Sequence, residues 1–99
     1  MAAILAFPSR HWNPTELDVL AQIAREIGNY GVATEREQGV TDEGDPWVSF
    51  HDTARGELVA HIARIGAAYV LVWADGTSLC SASLSQFPNA VRQGKAHAA

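Results

Sequence analysis

One stretch decides the fold: residues 45–82, which read DPWVSFHDTARGELVAHIARIGAAYVLVWADGTSLCSA. Within it, runs of β-branched and aromatic residues are separated by short clusters of Gly, Asp, Ala and Thr. Such runs, bounded by turn residues, are typical of antiparallel strands joined by tight hairpins. The stretch therefore predicts a meander, in which each strand pairs with the next one along the chain.

Three turns set the predicted register of these strands. Residues 54–56 (ARG) form a three-residue hairpin loop, with glycine where a left-handed backbone is needed. Gly66-Ala67 suits a type II′ turn and Asp75-Gly76 suits a type I′ turn. Counting outward from the turns gives the predicted pairs: His51–Val59, Ser49–His61, Val48–Ile62, Ile65–Ala68, Arg64–Tyr69, Ile62–Leu71, Trp73–Ser78 and Leu71–Cys80.

The registers sort the side chains into two faces, because successive residues of a strand point to opposite sides of a sheet. The predicted core face comprises Val48, Phe50, Leu58, Ala60, Ile62, Tyr69, Leu71, Trp73 and Cys80. The predicted opposite face is of mixed polarity and comprises Trp47, Ser49, His51, Val59, His61, Ala63, Val70, Val72 and Leu79. Its apolar share is too large for a face fully in water, so we expect something to cover part of it.

A helix precedes the meander. Asn13 suits the N-cap, Pro14 suits the first helical position, and Glu16 is placed to complete a capping box. We expect the helix to end at Gly28 or Asn29 and to cover the core face. Its apolar stripe comprises Leu17, Leu20, Ile23, Ala24 and Ile27.

Two further elements complete the predicted fold. Residues 32–40 alternate weakly and carry several charges, which is typical of an edge strand that resists pairing with another chain. Residues 83–86 suit the start of a second helix, with Phe87, Ala90 and Val91 facing inward, and we expect Gly94 to end it. The predicted fold class is α+β: an antiparallel meander of four to five strands, an N-terminal helix packed on one face, and a short C-terminal helix.

Length and composition favour a single domain over residues 1–99, with a lead-in at 1–12 and a flexible tail at 95–99. The apolar start, Met1 to Phe7, is too short to span a bilayer and has no secretory cleavage region, so we expect a cytoplasmic protein with no membrane partner. A single cysteine, Cys80, excludes an intramolecular disulfide. The net charge of −4 and the scattered basic residues argue against a nucleic-acid partner.

Candidate chemical sites are few. The acidic loop with Asp42, Glu43 and Asp45 lacks the spacing of a calcium loop, so a solvated turn is the better interpretation. His51 and His61 fall on the mixed face, where an imidazole pair could bind zinc or relay protons, but a metal site would need further ligands. Polar packing beside Trp47 or at a subunit contact is the favoured interpretation of these histidines. No nucleophile elbow or phosphate loop is present in the sequence, so we expect no enzyme and no cofactor.

Three segments carry a resemblance to a known group of proteins. They are Trp12-x-x-x-Glu16-Leu17, TDEGDPW-x-x-F at residues 41–50, and ELVAHIAR at residues 57–64. Together they resemble uncharacterised proteobacterial proteins, in some of which the segment is the N-terminal part of a longer chain. The resemblance covers most of residues 10–73 and implies a cytoplasmic regulatory or interaction module, without a known activity.

The leading hypothesis is a non-enzymatic interaction or regulatory module that forms a homodimer through the mixed face or an edge strand. The residues expected at this interface are Trp47, His51, Val59, His61, Val70 and Val72. The alternative is a sensor of a small ligand, in which His61 and the aromatic residues line a pocket between helix and sheet.

Overall fold

A computed structural model describes residues 11–29, 31 and 34–98, with side chains to residue 93. The predicted lead-in lies outside the described residues except for His11 and Trp12, and Ala99 of the predicted tail lies outside them as well. The elements are α1 (Pro14–Gly28), β1 (Thr34–Val40), β2 (Pro46–Asp52), β3 (Leu58–Ile65), β4 (Ala68–Trp73), β5 (Ser78–Ser81), a 3-10 turn (Leu84–Gln86) and α2 (Phe87–Ala98).

The five strands form one antiparallel sheet in the order β1-β2-β3-β4-β5. Each strand therefore pairs with its neighbour in sequence, and β1 is an edge strand as predicted. The α+β fold class is confirmed.

The start of α1 is also as predicted. The Glu16 backbone N–H donates to Asn13 Oδ1 at 2.8 Å, and the Asn13 backbone N–H donates to Glu16 Oε1 at 2.8 Å. These reciprocal bonds satisfy two backbone donors at the start of α1. The helix ends at Gly28 with Asn29 as its C-cap.

Both helices lie on the same side of the sheet. One buried cluster joins the two helices to the core face of the sheet, which places the core between the two layers. Its fully buried members are Leu20, Ile23, Ile27, Val48, Phe50, Ala60, Ile62, Leu71, Phe87 and Val91. Three predicted core positions are exposed instead: Leu17 at 37%, Leu58 at 37%, and Cys80.

The second helix is longer than predicted. It runs to Ala98, past Gly94, so the expected end at Gly94 is wrong. A single glycine costs a helix interior only about 1 kcal/mol relative to alanine, and the helix formers Lys95 and Ala96 follow it.

The predicted β2–β3 register holds in the strands and fails next to the loop. Val48–Ile62 and Ser49–His61 pair as predicted, but a β-bulge places His51 opposite Leu58 and not opposite Val59. The Asp52 carboxylate accepts hydrogen bonds from the backbone N–H groups of residues 54 and 55 at 2.8 and 3.3 Å. Asp52 also donates its own N–H to the Glu57 carbonyl at 2.8 Å, so the loop comprises residues 53–56 rather than 54–56.

The β3–β4 hairpin follows the prediction, with all its predicted pairs present and Gly66 at φ 62°. The β4–β5 register is one residue away from the prediction, because Leu71 pairs with Leu79 and Val70 pairs with Cys80. Residues 74–76 form a three-residue loop, closed by a bond from Trp73 N–H to the Thr77 carbonyl at 2.9 Å.

This one-residue shift in register moves each side chain of β5 to the face opposite the predicted one. Cys80, predicted on the core face, is exposed on the opposite face, and Leu79 takes the core side with 39% of its surface exposed. The Asp75 carboxylate accepts from Thr77 N–H at 2.9 Å and from Thr77 Oγ1 at 2.7 Å, which favours the longer loop.

Candidate functional site

The face of the sheet opposite the two helices, called the open face below, contains two rows of residues paired across all five strands, flanked by the pairs Glu35–His51 and Ile65–Ala68. Residues paired directly across antiparallel strands lie on the same face, so the pairing defines each row. The first row is Glu37, Ser49, His61, Val72 and Ser78, and the second is Gly39, Trp47, Ala63, Val70 and Cys80.

Trp47 is held between two neighbouring strands. Its indole stacks on the His61 ring, with the centroids 5.6 Å apart and an interplanar angle of 27°. On the other side it lies against Gly39, where a Cβ atom would sit 2.4 Å from Trp47 Cζ2. Glycine at position 39 therefore makes the space in which this indole lies flat on the sheet.

His61 lies near the centre of the open face. Its Nδ1 is hydrogen-bonded to Ser49 Oγ at 2.7 Å, and Ser49 itself is buried. Burial lowers the pKa of His61 from its ordinary value, because the charged imidazolium loses solvation. At neutral pH His61 is consequently an uncharged member of this face.

The six residues predicted for the interface do not all share the open face. Trp47, His61, Val70 and Val72 belong to its rows, and each is half-buried. His51 is two residues after Ser49 on β2 and pairs with Leu58 at the bulge, at the border of the face. Val59 packs against the buried core, because the bulge leaves it without a partner on β2.

A second cluster, not anticipated from the sequence, connects α1 to β3 and β4. Arg64 Nη1 donates to Glu16 Oε1 at 2.7 Å and to Oε2 at 2.8 Å, and Tyr69 Oη donates to Oε2 at 2.7 Å. The guanidinium carbon of Arg64 lies 5.6 Å from the centroid of the Trp12 ring. The Trp12 and Tyr69 rings are stacked, with centroids 6.4 Å apart.

The electrostatics of this cluster keep Glu16 ionised. Burial on its own would raise the pKa of Glu16, but the bonds from Asn13, Tyr69 and Arg64 and the Arg64 charge outweigh it, so the pKa is lowered. Burial and the neighbouring carboxylate raise the pKa of Tyr69. The cluster thus fixes the first turn of α1 on the sheet.

A sequence signal for this cluster was present. Arg64 and Tyr69 are a predicted pair on the side of the sheet that faces the helix, and an arginine there requires a counter-charge. The capping box accounts for Glu16 in the local sequence pattern, but a carboxylate that caps one element can also accept bonds from another.

Two hollows lie beside α1, each of about 300 Å³. The first is bordered by Trp12, Leu17 and Val40, and the second by Glu16, Tyr69 and the serines that precede α2. His61 borders neither of them, since it lies on the other side of the sheet. This placement is contrary to the arrangement expected for a sensor, and the sensor alternative itself stays a prediction.

Among the described residues, no group of three or more His, Cys, Asp or Glu side chains is arranged to hold a metal ion. Neither described helix, at 15 and 12 residues, combines the length and the apolar character that a bilayer span requires. Comparison of the chain with protein-family models, curated proteins and solved structures found no match. The resemblance of residues 10–73 to proteobacterial proteins stays a prediction.

Proposed function

We propose that this chain is a non-enzymatic, cytoplasmic interaction module that forms a homodimer by packing two open faces together. The observation that carries the proposal is the apolar strip of Trp47, Ala63, Val70 and Val72 on the side of the sheet away from both helices. An antiparallel sheet whose second face is in water normally carries polar side chains there. This strip therefore favours a protein surface as its partner.

The distribution of charge on the open face supports the same conclusion. Glu37 is the one charged residue in the two rows, and Glu35, which pairs with His51 at the border of the same face, also lies on the edge strand β1. The centre consists of apolar side chains, Ser49 and the neutral His61, which matches the depletion of charge at the centre of protein interfaces. Two such faces can stack about 10 Å apart, as the two layers of a β-sandwich do.

The size of the face favours a weak dimer. Five strands of four to eight residues, spaced about 4.8 Å apart with about 3.4 Å per residue, make a face of roughly 500 Å². Packing two faces buries roughly 1,000 Å², which is below the roughly 1,200 to 2,000 Å² of stable complexes. We therefore expect a reversible dimer with a dissociation constant in the micromolar range.

The test is sedimentation equilibrium from about 1 to about 200 μM with a charge placed in the strip. The variant Val72→Lys should raise the dissociation constant at least tenfold, because dimerisation would bury an unpaired ammonium group. The control, Gln22→Lys, adds the same charge on an exposed position of α1 and should leave the dimer unchanged.

Two results would remove the proposal. One is a wild-type chain that stays monomeric over the whole concentration range. The other is a dimer that forms only after deletion of residues 1–10, since that apolar segment would then be what covers the open face of the full chain.

A further inference from the structure

The two edges of the sheet differ in how they resist pairing. β1 carries Glu35, Arg36 and Glu37, and charged side chains on an edge strand oppose the addition of another strand. β5 (Ser78–Ser81, sequence SLCS) carries no charge and no proline, and its first three residues are exposed. Within the described ranges β5 pairs with one strand, β4.

The outward backbone groups of β5 follow from the hairpin. The N–H of Trp73 donates to the Thr77 carbonyl at 2.9 Å, which makes this a hydrogen-bonded pair of the β4–β5 ladder. Because hydrogen-bonded and non-hydrogen-bonded pairs alternate in an antiparallel ladder, Leu79 and Ser81 bond to β4. The N–H and C=O groups of Ser78 and Cys80 therefore point away from the sheet.

We propose that β5 is a second self-association surface, on which β5 of a second copy adds as an antiparallel strand about a two-fold axis at Cys80. A two-fold axis perpendicular to the sheet leaves each side chain on its own face, so a residue can pair only with one from the same face. This condition is met when Cys80 lies opposite Cys80 of the second copy and Ser78 lies opposite Ala82. The outward groups of Cys80 then bond to each other across the axis.

The absence of charge makes β5 compatible with a second copy of itself, whereas the charges of β1 oppose the same arrangement there. Residues 76–84, which read GTSLCSASL, would lie opposite one another and contain no charged residue. The equivalent axis on β1 would place Glu37 opposite Glu37, and like charges directly opposite are destabilising. Despite the net charge of −4, the β5 edge is thus locally neutral.

This inference goes beyond the open-face dimer and does not depend on it. Edge pairing joins two sheets side by side into one sheet of ten strands, while open-face packing stacks sheets on each other. Both surfaces acting together would produce a tetramer of two stacked ten-stranded sheets.

The test uses the single cysteine as a proximity probe. Paired residues at this position have Cα atoms about 5.5 Å apart, which lies within the range that a disulfide can bridge. Mild oxidation with copper–phenanthroline should therefore convert most of the wild-type chain into a covalent dimer through Cys80, which is exposed.

The variant Ser78→Pro removes an outward N–H without removing a bond to β4, so it should slow this cross-linking at least tenfold. Ser78→Ala keeps the N–H and is the matched control. Leu79→Lys is a second variant that should slow cross-linking, because a lysine on an edge strand opposes the addition of another strand. Leu79 lies on the core side, so this change does not alter the open face. Circular dichroism establishes that each variant is folded.

The same variants distinguish a failure of the open-face proposal from a failure of the edge proposal. Val72→Lys should weaken the open-face dimer at least tenfold and leave the Cys80 cross-link in place. Equal cross-linking rates in wild type, Ser78→Pro and Leu79→Lys would overturn the edge proposal, as would a wild-type chain that does not cross-link. Cross-linking that is lost in Val72→Lys and kept in Ser78→Pro would show that the disulfide forms within the open-face dimer and would overturn the edge proposal equally.

Discussion

At the scale of single residues, Glu16 has two structural roles, of which its local sequence indicates only the first. Its carboxylate caps α1 and also accepts bonds from Arg64 and Tyr69, which are 48 and 53 residues away in the chain. Only 6% of its side chain and 11% of that of Arg64 are exposed. Removing the charge from such a pair leaves the other charge buried without compensation.

The first prediction concerns this charge. Glu16→Gln should lower the free energy of unfolding by about 3 kcal/mol, because Arg64 would keep its charge and lose its carboxylate partner. Glutamine can still serve in a capping box, so the helix cap is retained and the loss reports on the ion pair. Urea unfolding at neutral pH measures the difference.

Glu26→Gln is the matched control for this prediction. Glu26 pairs with Arg92 at 2.6 Å, but 61% of the Arg92 side chain is exposed, and exposed pairs contribute little to stability. Equal losses in the two variants would show that the buried cluster is no more important than a surface ion pair.

At the scale of secondary-structure elements, bonds from aspartate side chains determined the length of two of the three hairpin loops. Asp52 and Asp75 each accept a bond from the backbone N–H two residues further on, and each of these loops is one residue longer than predicted. The hairpin without such an aspartate, around Gly66, has the predicted length. Local side-chain bonds to the backbone therefore outweighed the turn preference of the Asp-Gly pair.

A second prediction concerns the pairing of β1 with β2. Gly39→Ala should destabilise the protein, because the new Cβ would sit 2.4 Å from the Trp47 ring and would displace it from His61. Gly28→Ala, at a position with nothing within 4 Å, should instead stabilise the protein by about 0.5 kcal/mol through lower entropy of the unfolded chain.

Thermal unfolding of both glycine variants, followed by tryptophan fluorescence, measures these effects. A Gly39→Ala variant as stable as the Gly28→Ala variant would show that the Trp47 ring moves without cost. The contact between Gly39 and Trp47 would then have no part in holding the open face.

At the scale of the whole molecule, the helices of the described residues cover one side of the sheet, and the proposed open-face dimer would couple folding to association. A second copy that binds the folded chain stabilises it by mass action, so the apparent stability should rise with protein concentration. Measurements of intrinsic stability therefore belong at about 1 μM, below the expected dissociation constant.

The pH dependence of global stability is the third prediction. Because burial lowers the pKa of His61 in the folded state, the unfolded chain binds a proton more readily. The free energy of unfolding should thus be highest above the ordinary imidazole pKa of about 6.5 and should fall as the pH decreases through it, levelling off below the folded pKa. Urea unfolding between about pH 7.5 and about pH 5.5 measures this slope.

His61→Asn is the control, because asparagine does not titrate in this range. The free energy of unfolding should change more steeply with pH in the wild type than in the variant. Equal slopes would show that a group other than His61 causes the pH dependence. Glu16 acts in a separate, more acidic window: its lowered pKa contributes stability that is present above the ordinary carboxyl pKa and is lost as the pH falls through the folded value.

The sequence by itself determined the elements whose signals are local. The capping box of α1, the order of the meander, the charged edge strand and most buried positions follow from patterns a few residues long. The open face was also predictable in outline, since Trp47, His61, Val70 and Val72 share it as expected. The alternation of side chains in a strand determines this face once one hairpin is known.

The tertiary structure alone decided the features that depend on distant or competing contacts. It placed Cys80 on the open face and Val59 against the core, because the aspartate-closed loop and the bulge shifted the registers. It also joined Glu16 to Arg64 and Tyr69, a contact between segments about fifty residues apart that no local pattern specifies. A one-residue change in a loop reverses the faces of a whole strand, so side-chain positions beyond a turn depend on bonds that only the folded chain makes.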